Sequence, residues 1–260
     1  MAWRHSLRRQ RVSLRVLRDR AGLNGGHVSE LIRRFYKAVS VADDGAGILL
    51  DERRLKTPRG AAFAAPTRAL AEAMASEWHA QSEHIVPSRM PITQFAFAAI
   101  DITPSRRDEI ADHVAKFGET DLLCHRAAGP PSLVTRQTML WDPLVAWSAR
   151  ELGVILPVVV GVTPAPTNAE ALETLRAHAA ALDDFQLTAL AQATGAAGSV
   201  LIAFAMLHGR LTGEAAFNAA ALDDIYSLET WGEDAEARAR LDRLRAEFEN
   251  IARFISLLGS

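Results

Sequence analysis

No sign of charge dominates this chain of 260 residues, whose formal charge is -2. It therefore lacks the concentrated basic face that a nucleic-acid binder needs. The single cysteine, Cys124, excludes an internal disulfide framework and suits a reducing compartment. Lysine is confined to Lys37, Lys56 and Lys116, while arginine and alanine abound, a bias that points to a GC-rich bacterial genome. No apolar run approaches the roughly 20 residues that cross a bilayer, so membrane insertion is not expected. Neither G-x-x-x-x-G-K-[ST] nor a G-x-G-x-x-G after a strand is present, and no G-x-S-x-G elbow is found.

What is present reads as a globular chain, with 49% apolar and 23% charged residues. Residues 1–29 differ from the rest. Arg4, Arg8, Arg9, Arg11, Arg15, Arg18 and Arg20 are opposed only by Asp19 there. The stretch reads as a basic disordered tail or a transit-like segment and is set apart from the fold.

Short β-type runs follow. Phe35 to Val41 alternates apolar and polar side chains, Asp43 to Gly47 is turn chemistry, and Ile48 to Asp51 returns as a hairpin. Leu55 to Pro58 and Ala61 to Ala65 add extended pieces of a small antiparallel sheet. Thr67 then caps a helix whose apolar stripe is Leu70, Met74 and Trp78.

Helical periodicity dominates from there. Ser105 with Asp108 fits a capping box, and Asp142-Pro143 fits an N-cap followed by proline at the first helical position. Leu156 to Val162 is an extended connector or short strand. Three helices are expected over Ala171 to Leu182, Phe185 to Ala193 and Ser199 to Leu207, the last apolar all round and therefore central. One further helix starts at Thr212 and carries Phe217, Ala221, Ile225 and Leu228. A closing helix carries Leu241 to Leu258 at spacings of three and four. Strands before helices, without alternation, predict an α+β chain. A β-rich N-terminal domain with one helix is expected over 30–88 and a helical domain over 89–260.

The search for chemistry yields little. Gly195 to Ser199 reads as a helix–helix turn capped by Ser199 in preference to an anion site. His79 and His84 stand outside any zinc frame, and Cys124-His125 are neighbours in sequence without implied spatial geometry. Asp223-Asp224 and Glu233-Asp234 read as acidic faces of helices. No catalytic, cofactor-binding or metal set emerges.

Six or more blocks, taken in order, resemble the ATP-twelve family, also called ATP synthase assembly factor 2. They are Arg34 to Ser40; Leu50-Asp51-Glu52-Arg53-Arg54-Leu55-Lys56-Thr57-Pro58; Ala75 to Gln81 with Ile85-Val86-Pro87 and Met90 to Thr93; Ala99-Ile100-Asp101; Thr120 to Ala127; Trp141 to Leu144; and Leu222 to Tyr226 with Trp231-Gly232. His125 stands where the family has tyrosine, and Asp223 and Asp224 stand where it has glutamates. The resemblance implies a chaperone of the α subunit of the F-type ATP synthase head, binding without ATP, monomeric when free. It implies residence in the bacterial cytoplasm, or in the mitochondrial matrix of a eukaryote. The acidic step on the penultimate helix is implied to matter for function, so Asp223 and Asp224 are the first client-contact candidates. Glu77 and Trp231 join them, as does Trp78, whose place on an apolar stripe argues for core. The rival reading is an enzyme with a dispersed site of Asp101, Asp121, His125 and Asp223. That site requires convergent ionisable groups with displaced pKa values, whereas a chaperone predicts an open groove and carboxylates that titrate ordinarily.

Overall fold

The protein, seen in a computed structural model, is described over residues 32–259 apart from 162, 164, 165, 167 and 233. The basic stretch 1–29 lies outside the described residues. The chain is α+β, a small antiparallel sheet followed by helices.

Strands β1 (Val39–Val41), β2 (Ile48–Leu50) and β3 (Arg53–Arg54) pair in that order, with Val39 opposite Leu50 and Leu50 opposite Arg53. The first strand is shorter than its alternation suggests, and Phe35 is exposed. Asp51 turns the chain between β2 and β3 at φ 54°, a conformation that aspartate tolerates better than most residues. Its carboxylate accepts the N–H groups of Lys37 (3.0 Å) and Ala38 (2.9 Å), tying the turn to the strand entry. The 61–65 stretch is not a strand of this sheet: it makes an isolated bridge, Lys56 to Ala62, and its Phe63 and Ala65 N–H groups donate to the Leu55 (3.2 Å) and Ala46 (2.9 Å) carbonyls.

Helix α1 (Arg68–His79) begins where Thr67 predicts, its hydroxyl accepting from the Leu70 N–H at 3.1 Å. Leu70, Met74 and Trp78 are buried against the sheet, and the Tyr36 hydroxyl donates to the Trp78 carbonyl at 2.7 Å. Helices α2 (Pro91–Asp101) and α3 (Arg107–Lys116) follow. The expected Ser105–Asp108 box does not form. Ser105 belongs to a preceding 3-10 turn and donates to the Ile102 carbonyl, so Arg106 stands at the cap position without a side-chain bond.

A second correction concerns α4, which runs unbroken from Pro131 to Glu151 through Pro143. Proline there removes the bond that would reach the Met139 carbonyl. Met139 lies on the exposed side of the helix, and Asp142, free of capping, pairs with Arg126 at 2.7 Å. Strands β4 (His125–Arg126) and β5 (Val159–Val160) form a separate parallel pair, within the extended 156–162 stretch for β5.

Helices α5 (Ala169–Ala180), α6 (Asp184–Ala197) and α7 (Val200–Leu207) match the three expected. Asp183 and Gln186 form a capping box on α6, and Gly198 at φ 66° ends it in the left-handed conformation. Every residue of α7 from Val200 to Met206 is buried, so it is the centre of the helical layer.

The helix expected from Thr212 through Leu228 is two: α8 (Gly213–Ala220) and α9 (Leu222–Trp231). The break has a physical cause. Trp141 Nε1 donates to the Ala219 carbonyl at 2.9 Å, taking the acceptor that a continuous helix would offer to Asp223. The last helix, α10 (Ala235–Leu257), packs on α8, α6, α2 and α1 through Leu241, Leu244, Phe248, Ile251 and Phe254. Its end is held by the Thr67 hydroxyl, which donates to the Leu257 carbonyl. One hydrophobic cluster runs without interruption from Tyr36 and Ile48 through α7 to Phe254. No described helix is long and apolar enough to cross a membrane.

Candidate functional site

Helix α9 lies against α4. Ser132 and Tyr226 share a hydroxyl–hydroxyl bond of 2.6 Å, Arg136 pairs with Glu229, and the Arg136 guanidinium sits 5.3 Å from the centre of the Tyr226 ring. The same two helices carry two large apolar groups in water, Trp231 of α9 at 83% exposure and Met139 of α4 at 74%. Gly232, at φ 95°, stops α9 directly after the tryptophan, as its place in the sequence suggests. Burial drives most large side chains inward, and interfaces are enriched in tryptophan, so a tryptophan this exposed is a candidate contact.

The two adjacent aspartates of α9 have different surroundings. Asp224 pairs with Arg240 of α10 at 2.8 Å across partly open surface. Asp223 turns inward and accepts from Gln137 Nε2 at 2.8 Å. Burial raises the Asp223 pKa above the usual carboxylate range, the Gln137 bond opposes it, and the Asp224 charge adds to the rise.

Gln137 is itself buried, and its orientation is fixed: Oε1 accepts the Ala127 N–H at 2.8 Å, so Nε2 must face Asp223. The glutamine thereby joins α9 to β4. Beneath it, Arg126 donates through Nε to the Leu123 carbonyl (2.7 Å), pairs through Nη1 with Asp142, and lies 5.3 Å from the Trp141 ring centre. Sequence reasoning missed Gln137, Arg136 and Glu229. Only Gln137 had a local signal, as an amide on the face that also carries Trp141, Leu144 and Trp147.

Glu77 corrects an expectation. Lying off the Leu70 stripe, it was expected at the surface, yet it is buried and accepts the N–H groups of Ile92 (2.9 Å) and Thr93 (2.8 Å). It caps α2 from a distance, because Met90 supplies no side-chain cap there and Pro91 has no N–H. Burial raises its pKa against those bonds. Trp78 is buried beside Tyr36, with ring centres 5.7 Å apart.

The four residues of the enzyme reading are not brought together and share no partner among the described residues. Asp101 holds the 57–61 turn, accepting from Thr57 Oγ1 (2.6 Å) and the Arg59 N–H (3.1 Å). Asp121 occupies the start of α7. It accepts from Ser199 Oγ (2.8 Å) and from the N–H groups of Leu123 (3.0 Å) and Leu201 (3.2 Å). The anion that the Gly195–Ser199 helix start invites is thus a carboxylate of this chain. Full burial pushes Asp121 up to about 6. His125 is buried with Nδ1 unpartnered, and burial pushes the neighbouring Cys124 thiol up as well. The expectation of ordinary titration therefore fails at Asp121, Asp223 and Glu77, each displaced by its own burial.

A family model described as ATP12 chaperone protein matches residues 33–149. A crystal structure of Atp12 from Paracoccus denitrificans superposes with a TM-score of 0.82 at 38% identity, covering 87% of this chain and 98% of that one. The chain belongs to the ATP12 family. A structure from Agrobacterium tumefaciens matches with a TM-score of 0.78 at 32% identity, covering 98% of both chains. The mitochondrial atp12 protein of Schizosaccharomyces pombe is 28% identical over 219 residues, 78% of this chain and 75% of that protein. The blocks from Arg34 to Leu144, Asp51's turn and the 120–127 segment among them, fall within the residues matched, and the block of Leu222 to Tyr226 with Trp231-Gly232 lies outside them. Membership in the ATP12 family makes the protein a chaperone of ATP synthase assembly.

Proposed function

We propose that this ATP12-family chain holds the newly made α subunit of the F-type ATP synthase head until the β subunit covers it, docking it on the face formed by α9 and α4. The observation that carries the reading is Trp231, 83% exposed on a helix that also bears Asp224, turned to α10, and Glu229, turned to α4. An unassembled subunit exposes apolar and polar surface that its partner will later bury. A tryptophan anchor on a helix that also carries Asp224 and Glu229, each paired with an arginine, fits such a surface without bond-making chemistry. The α subunit is favoured as client by the ordered blocks of the sequence resemblance. Glu77 and Trp78 serve the fold, Asp223 positions α9, and Asp224 with Trp231 faces the client. The work is done by a monomer where the head is assembled, the bacterial cytoplasm or the mitochondrial matrix.

Co-expression with the cognate α subunit should keep that subunit soluble and yield a one-to-one complex. Asp224→Lys should abolish recovery of the complex while leaving the melting temperature of the free chaperone nearly unchanged. Failure of the wild-type protein to retain any α subunit under mild conditions would refute the reading.

A further inference from the structure

Burial holds the start of α9 and fades toward its end. Among the described residues of the helix only Leu222, at its first position, is buried. Ile225 and Leu228 are half-buried, and Glu229, Thr230 and Trp231 stand in water. Gly232 then stops the helix. A helix end with so little apolar hold is the first to open. What fixes the rotation of that last turn therefore decides where Trp231 points.

Arg136 of α4 grips it through two residues one turn apart. Its guanidinium lies over the Tyr226 ring, 5.3 Å from the centre, and pairs with the Glu229 carboxylate. A planar guanidinium can lie on a ring and donate to a carboxylate at once, which a lysine ammonium cannot do. Ser132, one turn earlier on α4, bonds the Tyr226 hydroxyl at 2.6 Å, so Ser132 and Arg136 form one ridge against which the tyrosine rests. Gln137, the next residue, takes Asp223 in the first turn of α9. Two successive side chains of α4 thus hold the two ends of α9, Gln137 from within and Arg136 at the surface. Helical residues advance about 100° each, so Trp231 leaves the helix roughly 200° from Glu229. With Glu229 pinned to α4, the indole is turned away from that contact, in keeping with its exposure.

We propose that Arg136 is a positioning residue for client binding: by pinning Tyr226 and Glu229 it sets the rotation of the last turn of α9 and presents Trp231. This rests on the reading that Trp231 meets the α subunit. Arg136 acts through α9 and does not touch the client. A half-exposed ion pair and a cation–π contact in water add little to global stability. Their loss lowers the share of molecules that present Trp231, and the apparent affinity falls by the same factor, about fivefold.

The test measures retention of the cognate α subunit, melting temperature and amide exchange along α9, all on the full chain. Arg136→Gln and Glu229→Gln should each weaken retention about fivefold and leave the melting temperature within a degree or so. Both should speed exchange in the last turn of α9 more than in its first. Arg136→Lys, which keeps the charge without the plane, should fall between Arg136→Gln and the wild type. The double variant Arg136→Glu with Glu229→Arg remakes the pair with its charges exchanged, and should recover slow exchange and most of the retention. Full retention by both glutamine variants overturns the proposal while the client reading stands. So does an exchanged pair that recovers slow exchange without retention, since it puts Arg136 or Glu229 in direct contact with the client. Early melting of either glutamine variant makes the pair part of the scaffold and overturns the proposal as well. Full retention by Trp231→Ala removes the docking face itself, and the positioning role with it.

Discussion

Asp121 lies where a helix start, a serine hydroxyl and complete burial meet, and the three act in opposite senses. Its bonds to Ser199, Leu123 and Leu201 favour the carboxylate, but burial outweighs them and lifts the pKa to about 6. The folded value is above the unfolded one. The stability this group contributes is therefore complete below the unfolded value and is lost as pH rises through about 6. Compared with Asp121→Asn, the wild type should gain on the order of 2 kcal/mol between pH 7 and pH 4, measured by denaturant midpoints of both proteins. Asp121→Ala should lose about 2–4 kcal/mol, since it leaves the Ser199 hydroxyl and two amides without their acceptor. None of this was legible in the sequence beyond Ser199's capping role, because Asp121 and Ser199 meet only through the folded chain. The displacement of Asp121, Asp223 and Glu77 is a property of enclosure, which spacing along the chain does not encode.

At the scale of elements, local chemistry was readable and long-range pairing was not. Thr67, Ser199 and Thr212 start helices as their types suggest, since each cap bond spans only two or three residues. The Asp142-Pro143 pair looked like a helix start for the same local reason, but packing of Trp141, Leu144 and Trp147 carries α4 straight through it. Pro143→Ala should therefore raise stability by about 1 kcal/mol or more, read from the urea midpoint, because it returns an N–H to the Met139 carbonyl. The break between α8 and α9 had no signal in the periodicity, which continues across Ala221. It is imposed by Trp141 from above and by Gln137 drawing Asp223 inward. Gln137→Leu should cost about 1–3 kcal/mol by stranding the Ala127 amide and a half-buried carboxylate. It should also speed amide exchange along α9 more than along α8.

At the scale of the whole molecule, the enclosed polar groups serve architecture while the proposed recognition surface is built from what is left outside. Trp231 makes that separation testable. Truncated to alanine it should change the melting temperature by less than a degree or so, since an exposed group contributes little to the fold, yet reduce client retention about tenfold or more. A variant with the opposite profile, early melting and intact retention, would place the tryptophan in the scaffold. The order of strands before helices and the ordered family blocks made the architecture and the chaperone class legible from residues alone. The docking face was legible only in part. Asp224 and Trp231 lie in a recognisable block, but Met139 and Arg136 come from another part of the chain.

The clasp between Thr67 and Leu257 has a further meaning during synthesis. Helix α1 rests partly on α10, whose Phe254 and Ile251 complete the apolar cluster begun near Tyr36. A ribosome-bound chain still missing its final helix cannot seal its interior, however much of the sheet has been made. The sheet and helix α1 therefore reach their full stability only when α10 docks, although the clasped residues stand 190 positions apart in the chain.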